Sequence, residues 1–223
     1  MITSRTRLVL VALVSCVATA VAMLLITGRS APPGDASPEA GFSRDMAVHH
    51  AQAVEMGFAV RDASDDSHIR SLAYDIITTQ TAQRGVFMGW LQQWGLNQAT
   101  DRPAMAWMAG HGHGAAPATG EPSAVPSAAP SAGPAAMPGM ASADELKRLQ
   151  AAKGKDAEIL FLQLMIRHHE GGVQMAKALL KLSNRPEVRG MAQSIVDTQD
   201  SEIQYMTDLL KERGAQPYPS ILK

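Results

Sequence analysis

The feature that most constrains this fold is an internal repeat. Residues 42–95 align without a gap with residues 161–214, an offset of 119 positions, and fifteen of the aligned residues are identical. Two unrelated segments of this length are expected to share about three or four identities. The matches include a His-His pair in each copy, His49-His50 and His168-His169. The sequence therefore predicts two copies of one unit that pack against each other.

Each copy has the hydrophobic pattern of two helices. In the first copy Met46, His49, Ala53 and Val60 recur at helical spacing and share one face. A polar break follows, and the second copy repeats the arrangement with Pro186 in its turn. A shorter helix, capped by Ser142, leads into the second copy. The predicted helices run from about 46 to 61, 67 to 95, 143 to 152, 165 to 182 and 186 to 214.

These elements predict an all-α protein. No stretch shows convincing strand alternation, and aromatic residues make up only 4% of the chain, which disfavours a β-rich core. A single helical hairpin cannot bury its own apolar stripe. We therefore expect hairpins 42–96 and 144–216 to pair as one domain, a four-helix bundle.

Two stretches have the composition of linkers. Residues 29–41 connect the N-terminal segment to the first hairpin, and residues 97–143 are dominated by Ala, Pro, Gly, Ser and Met. The second stretch is predicted to be a flexible, low-complexity connection. It also carries Met and His residues that could collect metal ions: Met105, Met108, His111, His113, Met137 and Met140.

The N-terminal segment, residues 1–28, is an export or anchoring signal. Two arginines precede an uncharged apolar run from Leu8 to Gly28, and this run reaches the length of a membrane-spanning helix. An uncleaved anchor is therefore favoured. Cleavage near Ala18–Ala22 and lipidation at Cys16 are the alternatives. All three place the bundle outside the cytoplasm.

Composition and motifs exclude several classes of function. Lys and Arg (20) balance Asp and Glu (21), so the chain lacks the basic footprint of a general nucleic-acid binder. Its single cysteine excludes an internal disulfide and a thiolate zinc site. A ferritin-type di-iron site needs Glu-x-x-His, which does not occur. No catalytic constellation is present in the sequence, and we expect a protein that is not an enzyme.

The remaining chemistry lies in a Met-x-x-His-His pattern that both copies carry. Thioether sulfur is a soft ligand and imidazole a borderline one, so the pair suits Cu(I), and His can also hold Cu(II). The alternative is a structural polar layer in a non-enzymatic envelope scaffold. In that case the imidazoles would be satisfied without a metal by polar side chains that repeat in the partner helices, Thr79/Gln80 and Thr198/Gln199.

Several strings resemble the DUF305 family of bacterial proteins: Met137-Pro138-Gly139-Met140, the run from Phe161 to Gly171, Met175-Ala176, and Thr198-Gln199-x-x-Glu202-Ile203-x-x-Met206. The resemblance covers about 42–95 and 137–212. It implies a ferritin-like bundle, exported or membrane-anchored, in a family that includes copper-binding proteins of copper resistance.

The resemblance also implies a set of copper ligands and partners. Copper, favoured as Cu(I), would be buffered or delivered for homeostasis or resistance, with a copper-handling protein or a second copy as partner. The first copy departs from the motif, because Gln83 and Phe87 stand where the second has Glu202 and Met206. A site in that half would be weaker or absent, and Arg84 near it would repel a cation. The implied metal ligands are Met46, His49, His50, Met56, Met137, Met140, Met165, His168, His169, Met175 and Met206.

Overall fold

The computed structural model describes residues 4–27, 31–109 and 137–222, and the linker residues His111 and His113 lie outside these ranges. The chain divides into two compact units, Met1–Pro32 and Pro33–Lys223. The first unit contains helix α1 (Ser4–Thr27), whose described apolar side chains are exposed. Among the described helices, none combines the length and the apolarity needed to cross a membrane.

The second unit is a four-helix bundle with one additional short helix, as the sequence predicted. Helices α2 and α3 form one hairpin, α5 and α6 form the other, and α2 packs against α5. The short α4 packs on α2 and α5. Across the described residues the regular structure is entirely helical. The bounds are α2 (Pro38–Ala63), α3 (Ser67–Gln93), α4 (Ala143–Ala151), α5 (Gly154–Leu182) and α6 (Pro186–Glu212).

Local sequence signals set the helix ends. Asp66 caps α3 by accepting from the backbone amides of His68 and Ile69. Ser142 and Glu145 form a reciprocal capping box at the start of α4. Gly95 and Gly214 follow the ends of α3 and α6 with a φ of 72°, a left-handed conformation that glycine adopts without strain.

Residues 119 positions apart make the same contacts at the two hairpin turns. The Ser64 hydroxyl donates to Glu158 at 2.6 Å, and the Ser183 hydroxyl donates to Glu39 at 2.6 Å. Glu158 and Glu39 are themselves 119 positions apart. Each hairpin therefore receives a hydrogen bond from the turn of the other, which ties the two halves together reciprocally.

The core consists of two apolar clusters. The Phe42 cluster contains Met46 of α2 and Met175 of α5, whereas the Phe161 cluster contains Met56 of α2 and Met165 of α5. Early residues of α2 thus share a cluster with late residues of α5, and the reverse holds at the other end. The two central helices therefore run antiparallel.

Both described ends of the long connection pack against the bundle, where the sequence predicted a flexible segment. Trp107 is buried against the Phe42 ring at 5.8 Å between centroids, and its indole N–H donates to Asp45 at 2.8 Å. A side chain at Gly41 would place its Cβ 2.5 Å from the Trp107 ring. The segment from Met137 to Ala141 lies against α2 and α5.

Candidate metal centre

A layer of polar side chains separates the two apolar clusters. On α2 the histidine pair lies between Met46 and Ala53, which belong to different clusters, and the other three long helices show the same order. Each side chain of the layer is at most 3% exposed. The layer consists of His49, His50, Gln80, His168, His169 and Gln199.

Three of the four imidazoles are oriented by a hydrogen bond from Nε2–H. His49 donates to the Pro138 carbonyl oxygen at 3.2 Å, His50 to the Gln83 amide oxygen at 2.8 Å, and His169 to the Glu202 carboxylate at 2.6 Å. A neutral imidazole with its proton on Nε2 carries a lone pair on Nδ1. In all three residues Nδ1 is buried without a hydrogen-bond partner.

His168 occupies the centre of the layer. Its ring lies 3.7 Å from the ring of His49, centroid to centroid, with 32° between the planes. Both of its nitrogens are buried without a partner. Because His49 and His168 are equivalent residues of the two copies, this contact joins the halves at the middle of the bundle.

Burial favours the neutral form of His49, His50 and His168. It lowers the pKa of His49 to about 3 and that of His50 to about 4, since the charged ring cannot be solvated inside the bundle. The same cause holds the pKa of His168 well below 6.5, and the neighbouring His49 and His169 add to the effect. A neutral ring is the form that binds a metal ion.

The thioethers suggested by the resemblance fall on both sides of the layer. Met46, Met175 and the partly buried Met137 belong to the Phe42 cluster. Met56, Met165 and Met206 belong to the Phe161 cluster. Met140 is half-buried and adjoins Gly139, which lies against the backbone of His168. The structure thus divides the other thioethers between the two apolar clusters, with the four histidines between the clusters.

The hydrogen-bond partners of the imidazoles differ from the expected ones. Gln80 and Gln199 lie in the layer, but the side-chain amide of Gln80 and the Oε1 of Gln199 are unpaired. Gln83 and Glu202 bond to the histidines instead, and Glu202 is 19% exposed. These two residues are 119 positions apart. Two sequence features indicate this pairing: Gln83 and Glu202 are equivalent in the repeat, and each lies 33 residues after the histidine that it contacts.

Arg84 was expected to repel a cation from the first half. It is exposed on α3, whereas its neighbour Gln83 carries the contact to His50. The polar layer is therefore lined by neutral groups in the first half and by one carboxylate, Glu202, in the second.

The donor chemistry fits a metal ligand set of mixed imidazole and thioether. A metal-binding histidine typically donates its other ring N–H to a carboxylate or a carbonyl, and His49, His50 and His169 already make that contact. In the described parts of the chain, no three His, Cys, Asp or Glu side chains come together as a metal site. The adjacent thioethers are the remaining soft donors.

The family is settled by comparison with known sequences. The family model described as "Domain of unknown function (DUF305)" matches residues 39–210, which is most of the chain and spans both hairpins and the polar layer. The chain belongs to the DUF305 family. No curated protein matches it significantly.

Solved structures of other DUF305 proteins share the fold. One, named as a putative secreted protein from Streptomyces coelicolor, is 42% identical, with a TM-score of 0.71 over 83% of this chain and 99% of that one. A DUF305 fragment from Deinococcus radiodurans is 32% identical, with a TM-score of 0.59 over 78% of this chain and 96% of that one. CopM in its Cu(I)-bound form is 22% identical, with a TM-score of 0.53 over 79% and 96%. At that identity the likeness to CopM concerns the fold, and CopM itself also has Cu(II)-bound and Ag-bound forms.

Proposed function

We propose that this DUF305 protein binds copper outside the cytoplasm, preferring Cu(I), and buffers it or passes it on. The observation that carries the proposal is a set of four buried imidazoles whose Nδ1 has no hydrogen-bond partner, three of which are already hydrogen-bonded through Nε2–H. Such rings are oriented as metal ligands before any metal arrives. The copper- and silver-bound forms of the structurally similar CopM give independent support.

The primary site in this proposal is formed by His49 and His168 together with the thioethers of the Phe42 cluster. Met46 lies one helical turn before His49, and Met175 faces it from the antiparallel α5 within the same cluster. Met137 packs on the same cluster from the connection. Thioether and imidazole together favour Cu(I), and imidazole alone also serves Cu(II). The role of Met56, Met165 and Met206, in the other cluster, stays a prediction.

Location outside the cytoplasm is part of the proposal. The apolar N-terminal segment supports export, either as a cleaved signal or as an anchor, and the name of the Streptomyces relative points the same way. Fractionation of cells that express the full chain tests this. Recovery of the bundle from the cytoplasm in unprocessed form would contradict it.

Removal of the central histidines should weaken Cu(I) binding at least tenfold, because each is a proposed ligand. We would compare wild type with the double variant His49→Asn, His168→Asn in competition with a chromogenic Cu(I) chelator. His68→Asn is the matched control, since His68 is an exposed histidine on α3. Equal competition by all three proteins would exclude the central pair as a copper site.

A structural polar layer in an envelope scaffold is the second candidate, favoured by the hydrogen bonds of His50 and His169 within their own hairpins. It predicts a lower melting temperature for the double variant and no shift of the wild-type melting temperature with Cu(I). A bound ion at one hundred times its Kd would instead stabilise the wild type by about 2.7 kcal/mol.

The two halves should respond differently to an exchange of their hydrogen-bond partners. Glu202 makes His169 a stronger donor to a metal than Gln83 makes His50, because a carboxylate raises the basicity of the ring. Glu202→Gln should therefore lower Cu(II) affinity, which rests on imidazole, by about tenfold. Gln83→Glu should raise it. Isothermal titration calorimetry checks both. Tighter Cu(II) binding by Glu202→Gln, or weaker binding by Gln83→Glu, would contradict the role of the carboxylate.

A further inference from the structure

The segment Met137–Ala141 is fixed to helix α2 by side-chain hydrogen bonds. The amide of Gln52 donates to the Ala141 carbonyl at 2.9 Å and accepts from the Ala141 backbone amide at 2.7 Å. One turn earlier, His49 donates to the Pro138 carbonyl. Gln52 thus uses both of its polar atoms on a single residue of the segment, like a strand partner in a sheet.

On its other side the segment lies against the backbone of α5. A Cβ at Gly171 would stand 2.0 Å from the Pro138 carbonyl oxygen. A Cβ at Gly139 would stand 2.3 Å from the Arg167 carbonyl oxygen and 3.0 Å from the His168 Cα, and Gly139 has a φ of 78°. Both contacts require glycine. The segment is therefore seated directly on the helix that carries His168.

Gln52 and Gly171 are equivalent residues of the two copies, 119 positions apart. At this repeat position the two copies differ, and they contact opposite sides of the segment. On α2 the residue is Gln52, which hydrogen-bonds to the segment. On α5 it is Gly171, whose lack of a side chain leaves room for the segment. The segment consequently bridges the two central helices at the level where the His49 and His168 rings stack. The repeat is asymmetric at this position because a single segment has to be held between the two copies.

This placement puts two methionines next to the backbone atoms that lie against the central histidines. Met137 and Met140 flank Pro138 and Gly139, whose backbones touch His49 and His168 respectively. Met137 also packs on the Phe42 cluster with Met46 and Met175. The contacts that hold the segment determine where these two methionines lie. The two shortest hydrogen bonds between the segment and the core helices are those made by Gln52.

We propose that Gln52 is the positioning residue that sets the metal preference of the site, because it holds Met137 and Met140 beside the His49–His168 pair. The proposal rests on the proposed function. Thioether ligands favour Cu(I) and Ag(I), whereas Cu(II) is served by the imidazoles alone. Loss of Gln52 should therefore weaken binding of the soft ions and leave Cu(II) binding unchanged.

The variant that tests this is Gln52→Leu, which keeps the approximate size of the side chain and removes both hydrogen bonds. Its Cu(I) affinity, measured by chelator competition, should fall by about tenfold to a hundredfold, the usual effect of losing a residue that orients metal ligands. Cu(II) affinity should stay within about twofold. Gln163→Leu is the matched control, because Gln163 on α5 also donates to a backbone carbonyl, that of Gln216 in the C-terminal tail. The control variant should keep the wild-type affinity for both Cu(I) and Cu(II).

Tryptophan fluorescence gives a second readout. All three tryptophans of the chain, Trp90, Trp94 and Trp107, belong to or pack on the Phe42 cluster. Ag(I) should quench wild-type emission at stoichiometric concentration and quench the Gln52→Leu emission only at about tenfold higher concentration. Equal quenching of the two proteins would overturn the role of Gln52.

Gly171→Ala provides an independent test in case Gln52→Leu does not fold. It pushes the segment away from the α5 side and leaves Gln52 intact, while alanine improves the helix itself. It should show the same selective loss of Cu(I). If wild type binds Cu(I) and both variants match it, the positioning role is wrong and the copper function stands. If wild type binds neither Cu(I) nor Ag(I), the proposed function fails.

Discussion

The metal-free protein is expected to lose most of its stability between pH 6.5 and pH 4. The pKa of His49 is about 3 and that of His50 about 4 in the folded protein, against 6.5 for an unburied ring. Below pH 6.5 these two rings therefore become protonated in the unfolded chain but stay neutral in the folded chain. Stability falls until the pH reaches the folded pKa values. At pH 5 each of these rings lowers the free energy of unfolding by about 2 kcal/mol. The free energy of unfolding of a domain of this size is about 5–15 kcal/mol in total.

Urea unfolding followed by circular dichroism at pH 7, 6 and 5 measures this effect. His68→Asn is the control and should follow the wild-type curve, since that ring is exposed. His49→Asn combined with His50→Gln should weaken the pH dependence, because two of the three rings whose pKa is lowered by burial are gone. A wild-type stability that stays constant from pH 7 to pH 5 would contradict the burial of neutral imidazoles.

The helices of the bundle could be predicted because their signals are local. Ser142 with Glu145 three residues later is a capping box, Pro186 suits a first turn, and Gly95 and Gly214 suit helix ends. The apolar stripe of each copy then requires a partner, and the repeat supplies it. Helical periodicity therefore predicts the fold class and the level of the bundle at which the histidines meet.

The surroundings of the histidines could not be predicted, because they depend on segments without periodicity. A Pro- and Gly-rich stretch favours irregular backbone, but neither Pro138 nor Gly139 indicates that this backbone will seat on α5. The contact depends on Gly171, more than thirty residues later. Likewise no periodic pattern indicates that Glu170 is only 6% exposed and accepts from the backbone amide of Ile221 at 2.9 Å, because this contact depends on the C-terminal tail that lies along α5.

Replacement of Glu158 by Ala is expected to destabilise the bundle by about 3–5 kcal/mol, the range for breaking a buried ion pair by removing one partner. The guanidinium of Arg213, the residue that directly follows α6, donates to Glu158 at 2.7 Å, and both side chains are at most 10% exposed. The second oxygen of Glu158 accepts from Ser64 at the turn between α2 and α3. The carboxylate thus joins three helix ends, and its loss leaves a buried cation and a buried hydroxyl short of a partner. Asp66, 3.0 Å from Arg213, keeps part of the charge compensated and favours the lower end of the range.

The repeat supplies the matched control for this experiment. Glu39, equivalent to Glu158, accepts from Ser183 in the same way, but the residue equivalent to Arg213 is Trp94. Glu39→Ala therefore removes a hydrogen bond without stranding a charge, and should cost about 1 kcal/mol. Chemical denaturation at pH 7 measures both variants, and Glu158→Gln, which keeps an acceptor for Ser64, separates the loss of charge from the loss of the hydrogen bond. Equal losses at positions 39 and 158 would mean that the ion pair with Arg213 adds nothing to the hydrogen bond from Ser64 at this end of the bundle.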